Sequence, residues 1–305
     1  RLGTEAVYNI FAKTQKLAKQ GKKIIDLSLG QSDFKSPKHA VDATIQALKD
    51  GHHGYTPANG IPELREAVSE DIKKYRGVQI NPDHIVVQPG GKPTMFYACL
   101  MFGEAGAEIM YPNPGFPIYE SFIHYVDAVP IPLHLDESSN FTFTPEHLAE
   151  LITPRTKLIY LNFPSNPTGG VASQAQLEAI AGVIRDLCPE EVRLYSDEIY
   201  ENIIFDGNVH HSIASLPGMG TRTIIASGFS KTYAWTGGRI GYAVFPSEEE
   251  ADIFKNLNIN YFSCVPPYNQ EAARVALEHP LSSPAVKEMV DTFQQRRDVI
   301  WEKLN

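Results

Sequence analysis

The hydrophobic pattern of the chain alternates between segments with helical spacing and short runs that are almost entirely apolar. Apolar residues recur at helical spacing over residues 4–20 and 61–76, and a glycine that can end a helix follows each segment. A third helix is predicted over residues 174–187, with Ser173 as its N-cap. Helical segments are therefore expected along much of the chain.

Six short runs of nearly continuous apolar residues lie between the helical segments. They occupy residues 85–87, 108–111, 158–161, 192–195, 223–226 and 240–244. Runs without polar alternation indicate strands that are buried on both faces, as in a mainly parallel sheet covered by helices. The pattern predicts an α/β fold with an open sheet, and we expect the first and last helices to belong to a smaller second domain.

Two further helices are predicted near the end of the chain. Ser247 followed by Glu250 predicts a capping box at the start of one of them. Residues 286–305 form an amphipathic pattern without a glycine or proline stop signal near Asn305. We therefore expect the sequence to end within an element and to lack its natural C-terminus.

Composition narrows the classes of partner. Of the 305 residues 43% are hydrophobic, and the net charge of −9 argues against nucleic acid or an anionic membrane as the main partner. Cys99, Cys188 and Cys264 are widely spaced and form no CxxC pair, which predicts free buried thiols rather than disulfides or a zinc site. No apolar run approaches the ~20 residues that span a bilayer. The N-terminus lacks the apolar core of a signal peptide, which favours a cytoplasmic protein.

Chemically distinctive residues follow four of the predicted strands. Ligands of open parallel sheets bind beyond the carboxyl ends of the strands, so these residues are expected to converge. The four segments are QPGGK at 88–92, LNFPSNPTGG at 161–170, YSDEIY at 195–200 and SGFSKTYAWTGGRIGY at 227–242.

Each segment by itself also has an ordinary structural explanation. A Gly-Gly turn before a helix can bind phosphate through its backbone N–H groups, but such turns are common in plain loops. Asn166 lies between two prolines, either within a rigid turn or pointing at a ligand. Asp197 either caps the following helix or belongs to a ligand-binding site. Lys231 has small and aromatic neighbours that can lower its pKa by desolvation, although most lysines are solvated. All four segments occur together, in order, after successive predicted strands, which favours a ligand-binding site.

The combination resembles the class I/II aminotransferases, an aspartate-aminotransferase-like family of fold type I enzymes that use pyridoxal phosphate (PLP). The resemblance extends from residue 24 to the end of the chain. It is carried by DLSLG at 26–30, GYTP at 54–57, NGIPELR at 59–65, NPTG at 166–169, SDEIY at 196–200, FSKTY at 229–233 and GGRIGY at 237–242. It implies an N-terminal arm and small-domain segment at 1–30, a large PLP-binding domain at 31–275, and the start of a small α+β domain at 276–305.

The resemblance also implies roles for individual residues. Lys231 would hold the cofactor as an internal aldimine and move a proton between the substrate Cα and C4′. Asp197 would pair with the pyridine nitrogen and keep it protonated. Asn166 and Tyr200 would hydrogen-bond the 3-oxygen of the ring, and Phe116 would stack on the ring.

The same resemblance implies a phosphate site. Arg239 would form a charge-assisted pair with the phosphate, alongside the backbone N–H groups of Gly91 and Lys92. Ser230 is a secondary candidate for the same phosphate. Tyr55 would reach the phosphate of the other subunit, so the resemblance implies a homodimer with shared active sites.

The substrate contacts implied by the resemblance are incomplete. Gly30 and Asn166 would lie against the substrate, while the arginine that clamps its carboxylate is expected beyond Asn305. Arg296 and Arg297 in the last predicted helix are interpreted as solvated instead.

The sequence also departs from the family pattern at two positions. Many relatives have proline where this chain has Ser32, and a bulky residue where it has Gly238. Both departures leave the chemistry intact but bear on local packing.

Transamination from an L-amino acid to a 2-oxo acid, by a ping-pong mechanism, is the leading functional prediction. A PLP-dependent lyase that carries out β-elimination is the alternative, because the cofactor supplies the electron sink for both reactions. A PLP-binding sensor without catalysis is a third possibility, which the presence of Lys231 disfavours. The side chain of the substrate is left open.

Overall fold

A seven-stranded sheet forms the centre of the protein, whose computed structural model describes Leu2 and residues 6–304. In chain order the strands are β1 (Ile85–Gln88), β2 (Glu108–Asn113), β3 (Val129–His134), β4 (Thr156–Asn162), β5 (Arg193–Asp197), β6 (Thr223–Gly228) and β7 (Gly241–Val244). Their order across the sheet is β1-β7-β6-β5-β4-β2-β3. Only β7 runs antiparallel to its neighbours β1 and β6, which confirms the predicted α/β fold with a mainly parallel sheet.

Helices connect most of these strands. Within the described residues they are α1 (Ala6–Lys19), α2 (Lys38–Lys49), α3 (Pro62–Arg76), α4 (Gly91–Phe102), α5 (Ile118–Tyr125), α6 (Pro145–Leu151), α7 (Gln174–Leu187), α8 (Phe229–Thr232), α9 (Glu248–Tyr261), α10 (Pro267–Glu278) and α11 (Ser282–Leu304). Gly77 ends α3 in the left-handed conformation, with φ of 68°. Ser173 and Gln176 form a full capping box at the start of α7, so the predictions for these two helices are confirmed.

Other elements differ from the predictions. The segment VPIPLH was not predicted as a strand, yet it forms β3 at the edge of the sheet, where its two prolines are tolerated. Ser247 accepts from the N–H of Glu250, but the Glu250 carboxylate accepts from Arg193 instead of returning to Ser247. The predicted capping box is therefore wrong in its second half.

The two outermost helices also differ in their bounds. The last helix, α11, begins at Ser282 rather than at residue 286, and Asn305 lies outside the described residues. The first helix, α1, begins at Ala6, and the predicted start at Thr4 also lies outside them.

Buried apolar residues cover both faces of the sheet. Along β4, Leu158 and Tyr160 join one core cluster, whereas Ile159 and Leu161 join another on the opposite face. This double burial explains why the strand is apolar without alternation. None of the helices in the described part of the chain is both long and apolar enough to cross a membrane.

The three cysteines have free thiols, as predicted. Cys99 and Cys188 are buried, whereas Cys264 is only half-buried.

Candidate active site

Asp197 is the last residue of β5 and is only 4% exposed. The Tyr119 hydroxyl on α5 donates to Asp197 Oδ2 at 2.7 Å, and the backbone N–H of Ile199 donates to Oδ1 at 3.3 Å. Burial raises the pKa of Asp197 to about 6, although both hydrogen bonds act in the opposite direction. A cationic N–H partner would restore the charged form, so this carboxylate suits a protonated ring nitrogen.

Lys231 lies on α8, directly after β6, which pairs with β5. Its Nζ donates to the Gly30 carbonyl oxygen at 2.6 Å and lies 5.5 Å from the centre of the Tyr200 ring. Its small and aromatic neighbours in sequence predicted that Lys231 would be desolvated. The side chain is only half-buried, so the desolvation is incomplete. Burial, together with the negative charge of Asp197, raises the pKa of Tyr200 to about 12. The Tyr200 hydroxyl therefore remains protonated and can donate a hydrogen bond.

The turn that carries Asn166 is tied to the end of β5 by Asn162. The Asn162 side chain donates to the backbone oxygen of Asp197 at 3.1 Å, and its Oδ1 accepts from the Asn166 N–H at 2.8 Å. Sequence reasoning missed Asn162. Its place as the last residue of β4, beside Asp197 in the sheet register, is the feature that assigns this role.

Arg239 lies beside the N-terminus of α4. Gly90 has a φ of 91°, which favours glycine, and a Cβ there would lie 2.2 Å from Arg239 Nη2. The Arg239 guanidinium donates to two backbone carbonyls of the neighbouring loops. The N–H groups of Gly91 and Lys92 belong to the first turn of α4, at the positive end of the helix dipole. A guanidinium and a helix N-terminus together form a site for an anion such as phosphate.

Phe116 precedes α5 and lies near both Lys92 and Tyr119. Its ring centre lies 5.6 Å from Lys92 Nζ and 6.1 Å from the Tyr119 ring, in an edge-to-face arrangement.

Ser230 is half-buried on α8. Tyr55 is 91% exposed on the loop between α2 and α3, and within the described chain it forms no hydrogen bond or ring contact with these candidates. The fold therefore brings all the predicted site residues together except Tyr55.

Tyr119 is the main contact that the sequence did not reveal. In sequence it is one of several apolar and aromatic residues at helical spacing in α5, a pattern that predicts a core position. Burial raises the pKa of Tyr119 well above its usual value, and the charge of Asp197 adds to this effect. The hydroxyl therefore stays protonated and acts as a donor to Asp197.

Arg296 and Arg297 were interpreted as solvated, and their side chains are indeed 48% and 39% exposed. Arg296 donates to both carboxylate oxygens of Asp33 at 2.8 and 3.1 Å, and Arg297 pairs with Asp206 at 2.5 Å. Both guanidinium groups form ion pairs within the chain, and Arg297 also lines the pocket that contains Asn166 and Tyr200.

The two departures from the family pattern have local explanations. A Cβ at Gly238 would lie 1.3 Å from Nε1 of Trp235, so the indole occupies the space of a larger side chain at this position. The hydroxyl of Ser32 accepts from the N–H of Phe34 at 3.2 Å and lies 3.7 Å from the sulfur of Met289. Ser32 thus contacts α11.

Comparisons with known proteins agree in family and fold. The profile of the aminotransferase class I and II family matches residues 22–305. The chain is 36% identical over 298 residues to a probable aspartate/prephenate aminotransferase of Aquifex aeolicus strain VF5, covering 97% of this chain and 74% of that protein. It is 34% identical over 308 residues to an aspartate aminotransferase of Rhizobium meliloti strain 1021, covering 100% and 73%. The solved aspartate aminotransferase from Thermus thermophilus with maleate matches with a TM-score of 0.94 at 31% identity, covering 99% of this chain and 78% of that one.

Proposed function

We propose that Lys231 holds PLP while an amino group passes from an L-amino acid to a 2-oxo acid by a ping-pong mechanism. The chain belongs to the class I and II aminotransferase family. The named relatives are aminotransferases, which favours transamination over the lyase alternative. The observation that carries the proposal is the buried Asp197 carboxylate, placed beside Lys231 at the ends of paired strands. Because two relatives are named for aspartate, L-aspartate is the first donor to test.

The residues around Asp197 suit the ring of the cofactor. Bound PLP supplies an electron sink for the carbanion that forms at the substrate Cα. Asp197 would hold the proton on the ring nitrogen, with Tyr119 fixing the carboxylate by its 2.7 Å hydrogen bond. Tyr200 and Asn166 would donate to the 3-oxygen, and the Lys231 amine would carry the proton to and from the substrate Cα.

The anion site suits the phosphate. Arg239 and the N–H groups of Gly91 and Lys92 would bind its oxygens, with Ser230 as an additional donor. Phe116 would cover one face of the ring and keep water away from it.

The segment that carries Gly30 lies close to the place where the substrate would react. Its carbonyl accepts from Lys231 Nζ, so this segment lies directly over the reacting amine. Gly30 and Asn166 are accordingly proposed to contact the substrate.

A homodimer with shared active sites is part of the proposal. The 91% exposure of Tyr55 leaves its hydroxyl available to the phosphate in the other subunit. Mixing Lys231→Ala subunits with Tyr55→Ala subunits tests this arrangement. Shared sites predict recovery of activity, because one site of each mixed dimer regains both intact residues. An absence of recovery in verified mixed dimers would contradict it.

A cytoplasmic location is also proposed. The buried free thiols of Cys99 and Cys188 suit a reducing compartment.

The function itself is tested by absorbance after PLP is added to the purified protein. We expect a visible band that Lys231→Ala abolishes and that the control Lys255→Ala, at a half-buried position on α9, leaves unchanged. L-amino acids, tested singly and beginning with L-aspartate, should convert the band to one at shorter wavelength and release the matching 2-oxo acid. Release of ammonia and pyruvate instead would establish the lyase reaction, and a band independent of Lys231 would refute the proposal.

A further inference from the structure

A buried group of charged side chains lies directly behind the turn that carries Asp197 and Tyr200. At its centre is Arg76, the last residue of α3, whose side chain is 1% exposed. Arg76 Nε donates to Glu198 Oε2 at 2.7 Å, and Arg76 Nη2 forms an ion pair with Glu201. The Glu198 side chain is also 1% exposed. One arginine therefore holds two carboxylates of the same turn.

These carboxylates alternate in sequence with the candidate site residues. Positions 197 and 200 contribute to the site, whereas positions 198 and 201 contact Arg76. Glu201 Oε1 also accepts from the hydroxyl of Ser227 at 3.2 Å, and the backbone N–H of Glu198 donates to Ala226 at 2.8 Å. Ser227 and Ala226 belong to β6, the strand that leads to Lys231. Arg76 thus braces both strands from which the site is built.

The cation at this centre is the arginine itself. Glu198, Glu201 and His210 offer ligand atoms within 4.8 Å of one another, a spacing that can hold a metal ion. The Arg76 guanidinium pairs with both carboxylates and so supplies the positive charge between them. Removal of Arg76 would take away the positive charge that both buried carboxylates share and leave Glu198 paired with His210.

We propose that Arg76 is a positioning residue for the proposed transamination, which offsets the charges of Glu198 and Glu201 and so keeps Asp197 charged and directed at the cofactor. The identity of that cofactor rests on the proposed function. The effect on Asp197 is a property of this chain alone and can be measured without the cofactor.

The direction in which Glu198 shifts the pKa of Asp197 follows from the contacts of Glu198. Burial opposes its ionisation, but the charges of His210 and Arg76, with hydrogen bonds from His210 and Ser212, lower the pKa of Glu198 to about 2. Glu198 is therefore charged at neutral pH. Its charge raises the pKa of Asp197, in the same direction as the larger effect of burial. A positive charge behind Glu198 opposes this repulsion.

Other groups also face the cluster. Asp71 of α3 lies 3.6 Å from Arg76 Nη1, and the Tyr242 hydroxyl of β7 lies 3.5 Å from Nη2. Burial raises the pKa of Asp71, Tyr233 and Tyr242. The titratable groups that face Asp197 itself are Tyr119 of α5, Tyr195 of β5, Tyr200, Glu198 and Lys231 of α8.

The test is the titration of Asp197 in cofactor-free protein labelled with ¹³C at the aspartate carboxyl carbons. The Asp197 resonance is assigned by its loss in Asp197→Asn. We expect Arg76→Met to raise the pKa of Asp197 and Glu198→Gln to lower it, each by on the order of one unit. The double variant should return close to the unsubstituted value. A purely structural role would move both single variants in the same direction, because each breaks the same hydrogen bond.

Arg65→Met is the matched control. Arg65 is a second buried arginine of α3, about 16 Å from Arg76 toward the N-terminus of the helix, and pairs with Asp83 at 2.7 Å. It should leave the Asp197 titration unchanged. If Arg76→Met does not fold, Arg76→Lys, which keeps the charge, should preserve the pKa of Asp197 while Glu198→Gln lowers it.

Shifts of the same sign, or folded variants without a shift, would overturn the proposal. Added PLP then separates the two hypotheses. Failure of the unsubstituted protein to form the visible band contradicts the proposed function, whereas the Asp197 titration decides the role of Arg76 in either case.

Discussion

Replacement of Asp197 by asparagine should stabilise the cofactor-free protein at alkaline pH. Burial raises the pKa of Asp197 from 3.8 to about 6, so folding favours its protonated form. The associated stability is fully present below pH 3.8 and is lost as the pH rises through 6. A shift of about two units corresponds to about 3 kcal/mol at pH 8, of which about half is already lost at pH 5.

Asparagine cannot ionise, so Asp197→Asn avoids this loss. Its free energy of unfolding, relative to that of the unsubstituted protein, should rise by about 1.5 kcal/mol between pH 5 and pH 8. The change between the two pH values isolates the charge, since altered packing and hydrogen bonding contribute at both. Bound PLP should reverse the order of stability at pH 8, because a protonated ring nitrogen would stabilise the charged carboxylate.

Equilibrium unfolding in urea, without cofactor and at both pH values, measures this difference. Asp252→Asn, at an exposed position on α9, serves as the control and should show no comparable change. The reasoning is refuted if the relative stability of Asp197→Asn is independent of pH or falls as the pH rises. Either result would mean that ionisation of Asp197 does not destabilise the folded protein.

Three further predictions follow from single contacts. Tyr119→Phe removes a hydrogen bond to a charged group, worth roughly 1.5–3 kcal/mol, and should raise the pKa of Asp197 by about 1–2 units in the carboxyl titration; an unchanged pKa would exclude this coupling. Gly238→Ala should destabilise the protein by about 1–3 kcal/mol through overlap with Trp235, and by much less in a Trp235→Met background, as measured by urea unfolding; equal costs in both backgrounds would contradict the overlap. Ser173→Ala should cost about 1 kcal/mol in the same assay by loss of the N-cap of α7, whereas Ser173→Asp should retain most of the stability.

Local sequence signals predicted the elements whose physics is itself local. The bounds of α3 and α7 follow from helical spacing, a glycine in the left-handed conformation and a capping serine, all within a few residues of the helix ends. The buried parallel strands follow from apolar runs without alternation. Most candidate site residues lie in motifs directly after these strands, so the order of the motifs along the chain was enough to predict that they meet.

The tertiary structure alone decided the contacts between residues distant in sequence. Tyr119 donates to a carboxylate 78 residues away, and Arg76 to one 122 residues away, yet the local pattern of Tyr119 is that of a core residue. The prolines of β3 are acceptable because that strand lies at the edge of the sheet, which only the strand order establishes. Periodicity and capping describe a residue's own element, whereas the charge state of Asp197 depends on groups that α3, α5 and α8 bring around it. Their proximity is a property of the packed fold and has no counterpart in any local stretch of sequence.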